Sequence, residues 1–498
     1  MTCLESKLIK TIEMDNRATV VENVWAETGQ AGEAETDSSQ DGVWTSGPRG
    51  SILRSLVSAI ESAQECVCLS SFLFSESSLG TALISAASRG VRVYTLSSPY
   101  RTLDRDTPDQ DGEPRERVEE YKQFLDSIAG HILLRAADHF HSKFLLADPR
   151  SPSISRGILC TANFNKALTE NLEIAVDLTP AELKGVFQQF RVGFWNESSE
   201  ELLRARQFTP VSPRPTSIRV PHRLDSVLTT VRSERSEIGH NTIRDSLQRF
   251  IRESEGPLIA SVYSVNSDHD TVKELASCAR DRHITLIVRP RLLDTISYRA
   301  LAEAGAEVLG HDRLHAKAIV SQKNGEPAAI VMTANLESKG LDQGFETGLY
   351  LEGVRARRIK SILEGWTKAC RWKFNSGVQI GDLRGKVMVQ GAKHYEERAV
   401  DNETSVDAGV LKQTTLEAEP SPDTKKLSSY LAHRVILSYT IERPRLPRGA
   451  TQIEDPESPL PVYRRGGNMF IAVLKLSDLE PAVRLKEGKY KSAAIVMK

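Results

Sequence analysis

His141-Ser142-Lys143-Phe144-Leu145-Leu146-Ala147 and His315-Ala316-Lys317-Ala318-Ile319-Val320 are one pattern written twice. In each copy the His and Lys stand two apart, so on an extended chain both side chains leave the same face. An apolar run follows each Lys, which predicts a buried strand with the His/Lys pair at its start. Further on come Cys160-Thr161-Ala162-Asn163 and Met332-Thr333-Ala334-Asn335, and then an acid, Glu173 and Glu346. His to Asn spans 22 residues in the first copy and 20 in the second; Asn to the acid spans 10 and 11. One His-x-Lys is a weak signal, because a strand end facing water produces it too. Four residue types recurring in order 174 residues apart indicate a duplicated unit.

The chemistry these residues suit is attack on a phosphodiester. A neutral imidazole can attack phosphorus and form a covalent phosphohistidine. A second imidazole can protonate the leaving alcohol and then activate water or another alcohol. Lys143, Lys317, Asn163 and Asn335 can hold the non-bridging oxygens as charge develops. An acid accepting a ring N–H fixes the tautomer and supports the imidazolium. The cationic side chains serve where a metal otherwise would, so neither metal nor cofactor is expected.

These residues resemble the signature of the phospholipase D superfamily: His-x-Lys, an Asp five residues after the Lys, and a small-residue segment ending in Asn. The first copy carries all of it in His141, Lys143, Asp148, Thr161 and Asn163. The second has His315, Lys317, Thr333 and Asn335, but Gln322 stands at the Asp position. The usual Gly-Ser before the Asn is changed to Cys160-Thr161 and Met332-Thr333. Some metal-independent nucleases and DNA-repair phosphodiesterases of the superfamily also lack that Asp. The resemblance covers about residues 50 to 375. It implies an α/β fold of two similar halves about a pseudo-twofold axis, with one composite site. It also implies that Glu346 orients His141 and Glu173 orients His315. By the same analogy His141 is the nucleophile and His315 the acid/base, although the near symmetry of the halves leaves that order open.

The chain has 498 residues, a net charge of -1, 40% hydrophobic and 26% charged residues. That length predicts about three domains. The charge balance gives no global attraction to nucleic acid or acidic membrane, so any such attraction must be local. Six scattered cysteines lack paired zinc spacing and read as reduced thiols in a cytoplasmic protein. No apolar run reaches the roughly 18 residues of a membrane helix, and the N-terminus shows no signal-peptide core.

Six segments follow. Residues 1–49 read as a polar, loosely ordered tail. Residues 50–200 form the first half, with a helix capped at Ser51, a strand from Cys66, a helix from Leu79 stopped by Gly90, and a strand from Val91. This order implies a parallel crossover. Residues 201–240 read as a Pro/Arg-rich linker, carrying Arg204, Arg206, Arg214, Arg219, Arg223, Arg232 and Arg235. Residues 241–380 repeat the first half, with strands at Pro257–Val265 and Ile284–Val288. Residues 381–426 are a polar linker, and 427–498 a β-rich accessory region with a hairpin turn at Arg464–Asn468. The aromatic helices after Glu173 and Glu346 read as core.

Tyr100, Arg101, His139, Arg289 and Arg291 are candidates for substrate contact. The arginines follow a strand's C-terminal end, where α/β sites open, and His139 shares a face with His141. The expected partner is nucleic acid. A phosphatidyltransferase at a membrane surface is the alternative, and a weakened scaffold whose C-terminal region binds a protein is a third reading.

Overall fold

The computed structural model describes residues 32–99, 115–205, 207–211, 226–231, 240–291 and 294–376. Beyond these it describes 23–28 and short strands at 10–11, 20–21, 378–379, 387–389 and within 436–497. The chain divides into two compact units. The first comprises 1–3, 30–289 and 296–371, and the second 4–29, 290–295 and 372–498.

The first unit holds both motif copies, each in the same sequence of elements. In the first half these are α1 (Ser51–Ser62), β1 (Cys66–Ser70), α2 (Ser77–Ser88), β2 (Arg92–Ser97), α3 (Arg115–Ile128), β3 (Leu133–Ala136), β4 (Phe144–Ala147), β5 (Arg156–Cys160), β6 (Ile174–Asp177) and α4 (Pro180–Val192). In the second half they are α5 (Thr242–Glu253), β7 (Glu255–Val262), α6 (Asp270–Cys278), β8 (Ile284–Val288), α7 (Thr295–Glu303), β9 (Glu307–Gly310), β10 (Ala318–Lys323), β11 (Glu326–Met332), β12 (Phe345–Glu352) and α8 (Gly353–Ala369).

Each half builds its sheet in the same order, β3-β2-β1-β4-β5-β6 and β9-β8-β7-β10-β11-β12. The first three strands are parallel, joined by helical crossovers. The last three run antiparallel through short connections. The chain is thus α/β and internally duplicated. Two glycines mark corresponding turns: Gly90 (φ 90°) ends α2, and Gly305 (φ 104°) follows α7, where a Cβ would lie 2.8 Å from the Ala279 carbonyl.

The halves meet through a reciprocal pair of bridges. Phe140 pairs with Phe345, and Leu172 with Leu314. His141 N donates to Phe345 O at 3.1 Å and Phe345 N to His139 O at 2.9 Å; His315 N donates to Leu172 O at 3.1 Å and Leu172 N to Arg313 O at 2.7 Å. Exchanging the halves turns one set into the other, which is the pseudo-twofold relation. One apolar cluster runs across this seam, from Phe140, Phe144 and Phe190 to Phe345, Leu363 and Trp366. Burial on that scale favours association of the halves.

The structure differs from the sequence reading in three places. Residues 32–49 are packed rather than loose: Val43–Thr45 pairs with β6, and Asp37 accepts from Arg49 N at 2.7 Å and Ser51 N at 3.0 Å. The stretch 201–240 contributes strands to both sheets. Glu200–Arg204 pairs with β3 and Val227–Val231 with β12; the latter is wholly buried, which its apolar and Thr side chains allow. Finally, the His/Lys pairs precede β4 and β10 rather than lying within them, although Cys160 N still donates to Lys143 O and Met332 N to Lys317 O.

In the second unit Val24–Glu27 runs between Trp372–Asn375 and Val387–Val389, antiparallel to both. A separate five-stranded antiparallel sheet takes the order Ile436–Ile441, Ser492–Met497, Asn468–Val473, Val462–Arg465, Thr451–Ile453. Arg465 pairs with Asn468 across a two-residue connection, which agrees with the expected hairpin.

Candidate active site

The bridges at the seam bring the start of β4 beside the start of β12, and the start of β10 beside the start of β6. That placement joins each histidine to the acid of the other half. His141 Nδ1 lies 2.8 Å from Glu346 Oε1, and His315 Nδ1 lies 2.5 Å from Glu173 Oε1. The second oxygen of each acid accepts from the Thr of its own half: Thr161 Oγ1 donates to Glu173 Oε2 at 2.6 Å, and Thr333 Oγ1 donates to Glu346 Oε2. Each carboxylate is thus held at both oxygens, and each imidazole is fixed in ring orientation.

All these side chains are buried. Lys143, Lys317, Asn163, Glu173, Glu346, Thr161 and Thr333 have no exposure, and the two histidines only 3% each. A buried ammonium is costly without opposite charge nearby. Two Lys and two Glu balance here. Burial pushes the Glu173 carboxyl up, but the His315 and Lys317 charges and the bonds from His315 and Thr161 outweigh it and hold Glu173 below the ordinary carboxylate value.

The lysines are placed differently. Lys143 Nζ donates to His141 O at 2.8 Å, whereas Lys317 Nζ lies 3.2 Å from both ring nitrogens of His315. Asn335 is 1% exposed, and among the described residues neither its carboxamide oxygen nor its nitrogen has a hydrogen-bond partner. Leaving such a group unbonded costs about 1–3 kcal/mol, so it is poised to engage a substrate oxygen.

The other candidates fall elsewhere. Asp148 sits at the far end of β4 from His141, in the left-handed region (φ 48°), and its carboxylate accepts from the backbone of Gln64, Glu65 and Cys66 at 2.9, 2.7 and 2.9 Å. It holds the start of β1 and stands outside the His/Glu cluster. The His139 ring packs on Phe140, 5.1 Å between centroids. Arg289 lies over the Tyr263 ring at 5.8 Å, donates from Nε to Asp312 O at 2.6 Å, and reaches Asn171 Oδ1 with Nη2 at 3.2 Å. Arg291 Nε is 3.9 Å from Asp294 Oδ2. Tyr100 and Arg101 lie outside the described residues, as do Arg206, Arg214, Arg219, Arg223, Arg232 and Arg235 of the 201–240 stretch. The basic run after Glu346 is engaged internally: Arg355 forks onto Glu182 at 2.8 and 2.7 Å, and Arg358 bonds Glu35.

The sequence reading missed two residues. Phe72 and Tyr263 occupy matching positions just past β1 and β7. Phe72 lies 5.3 Å from the His141 ring and Tyr263 4.6 Å from the His315 ring. The signal was present as an aromatic two residues after Ser70 and Ser261, but it is recognisable only once the strands are in register.

Residues 56–196 match a family model described as cardiolipin synthase, phospholipase D-like domain. No curated protein matches the chain. Among solved structures, a polyphosphate kinase from Porphyromonas gingivalis is 15% identical with a TM-score of 0.43, covering 72% of this chain and 50% of that one. This chain therefore spans about half that kinase's length. A phosphatidylserine synthase from Haemophilus influenzae is 9% identical with a TM-score of 0.46, covering 70% of this chain and 90% of that one. Nuc, a phospholipase D family member from Salmonella typhimurium, is 20% identical with a TM-score of 0.25, covering 34% and 98%.

Proposed function

Since the chain belongs to the phospholipase D superfamily, we propose that it is a metal-independent phosphodiesterase working through a covalent phosphohistidine, with nucleic acid as substrate. The observation that carries this reading is the crosswise pairing of His141 with Glu346 and His315 with Glu173. Each Glu engages Nδ1, so the reacting nitrogen is Nε2.

In the first step His141 Nε2 attacks phosphorus, a P–N bond forms and the P–O bond to the leaving alcohol breaks. Protonated His315 gives that alcohol its proton. In the second step neutral His315 takes a proton from water, the resulting hydroxide attacks phosphorus, and the P–N bond breaks. A phosphomonoester leaves and His141 is restored. Two Lys, two Glu and one protonated His sum to +1, which complements the single charge of a phosphodiester. Lys143, Lys317, Asn163 and Asn335 then hold the non-bridging oxygens in the transition state.

Nucleic acid is favoured over lipid by the cationic rim at the seam. Arg289 and Arg313 both reach the Glu170–Asn171 turn, and among the described residues neither has a carboxylate partner. Together with burial, they push His311 down to about 4. A polyanionic strand gains from such a rim, and no described helix is long and apolar enough to cross a membrane. The matched family description, cardiolipin synthase, favours a phosphatidyltransferase as the second reading.

The test is one panel in EDTA with wild type and His141→Ala, on single- and double-stranded DNA, RNA and phosphatidyl lipid. Nucleic-acid cleavage that persists in EDTA and disappears in the variant is the expected result. Turnover of lipid alone would move the chain to the second reading.

A further inference from the structure

The halves share strand order and register, so a residue beside one His–Glu pair has a counterpart beside the other. Ser142 corresponds to Ala316, each between its His and Lys. Thr347 corresponds to Ile174, each directly after its Glu. Gln189 corresponds to Ile362, because the buried positions Leu183, Val186, Gln189 and Phe190 of α4 match Ala356, Ile359, Ile362 and Leu363 of α8. Three polar residues thus underlie His141–Glu346, where three apolar ones underlie His315–Glu173.

The polar three are fully buried and joined to one another. Thr347 Oγ1 lies 2.8 Å from Gln189 Oε1 and 2.9 Å from Ser142 Oγ. Gln189 Nε2 donates to the Glu346 carbonyl at 2.6 Å, and Ser142 Oγ to the Phe345 carbonyl at 2.9 Å. That Phe345 carbonyl also accepts from His141 N. Apolar side chains fill the equivalent positions, so packing alone does not require polar ones. Buried polar groups are costly unless bonded, and a fully bonded set rigidifies what it touches.

We propose that Ser142, Thr347 and Gln189 are positioning residues that fix the Glu346 main chain and, through it, the His141 ring. This rests on the function proposed above and deepens it: the two histidines are unequal by construction, and His141 is the one held rigidly for attack. The charged groups facing His141 are Glu346 and Lys143, and the third neighbour is the Phe72 ring. On the opposite side, the His315 ring is met by Lys317 and Tyr263 without a polar clamp beneath it.

The test uses the full chain with Thr347→Val and Gln189→Met, which keep volume, and Thr347→Ser, which keeps the hydroxyl. The readout is titration of the histidine rings by NMR, with hydrolysis of bis(p-nitrophenyl) phosphate alongside. Loosening Glu346 weakens its support of the imidazolium. The His141 midpoint is therefore expected to fall by roughly 0.5 in pH while that of His315 stays, and kcat to drop about tenfold with KM little changed. Thr347→Ser is expected to restore both. Both histidines moving together would mean general loosening, and neither moving would mean no coupling; either result overturns the proposal. A wild type without turnover would count against the phosphohistidine reading, and the ring titrations would still decide the network.

Discussion

The first half keeps an acid five residues after its Lys and the second does not, and the two halves solve the same structural problem with opposite polarity. In the first half Asp148 accepts three backbone N–H groups at the start of β1. In the second half Pro257 occupies the Cys66 position and has no N–H to give. There the backbone carbonyls are served instead: Arg282 Nε donates to Gly256 O at 2.5 Å, and Ser321 Oγ to Glu255 O and Pro257 O at 2.8 and 3.0 Å. The comparison teaches that the Asp belongs to the strand start and not to the chemistry. Its loss in the second copy therefore leaves the His/Lys/Asn/Glu set intact.

The comparison is broken most directly at the histidines. If the halves make one site, His141→Ala and His315→Ala should each lower kcat/KM by about 10³-fold or more. Near wild-type turnover in either variant would mean that each half acts alone. Next come the acids. Glu346→Gln and Glu173→Gln should each cost about 10²-fold or more in kcat, because the ring loses its orienting charge. Glu173 adds a stability test. Its folded value lies below the ordinary 4.5, so its contribution is full above that value and is lost as pH falls through the folded one. Melting temperature measured from pH 6 down to pH 3 should fall steeply in wild type and less steeply in Glu173→Gln. Parallel curves would remove the inferred ion pair.

Asp148 against Gln322 comes third. Asp148→Asn should lower stability by about 2 kcal/mol, since a charged acceptor of backbone bonds is lost, while Gln322→Ala should change it by less than about 0.5 kcal/mol. Thermal unfolding measures both. Equal losses would mean that the two strand starts are held alike.

The duplication, the parallel crossovers and the eight central side chains were legible from the sequence because each is local. His-x-Lys spacing, apolar runs and helix-stopping glycines such as Gly90 are set by near neighbours. The crosswise partnership of His141 with Glu346 was reached by resemblance alone, because it depends on bridges between residues 205 positions apart. The aromatic pair Phe72 and Tyr263, and the strand at Val227–Val231, were hidden for a related reason. Their roles follow from sheet register and edge pairing, which no window of adjacent residues encodes. The Asp148 position was visible, but its use was not. A carboxylate that receives three backbone donors looks the same in sequence as one beside a substrate.

The smallest expected effect lies at the rim, where the halves also differ. Arg289 follows β8 at the position that Ser98 takes after β2, and matching tyrosines mark the correspondence: Tyr298 donates to Arg289 O and Tyr121 to Ser98 O. The backbone is thus repeated while the side chain changes from hydroxyl to guanidinium. One rim of the site is cationic and the other neutral. A strand of phosphates would lie toward Arg289, and each neutralised phosphate adds about one to the salt dependence of binding. Arg289→Gln should therefore raise KM for a DNA strand several-fold and lower the slope of log KM against log salt by about 1. The reverse exchange, Ser98→Arg, should leave that slope nearly unchanged, because the Ser98 side chain is fully buried and faces no solvent path for a phosphate. If both exchanges altered the slope equally, the rims would be interchangeable and substrate could enter in either sense. If only Arg289 counts, the pseudo-twofold site binds its substrate in one direction.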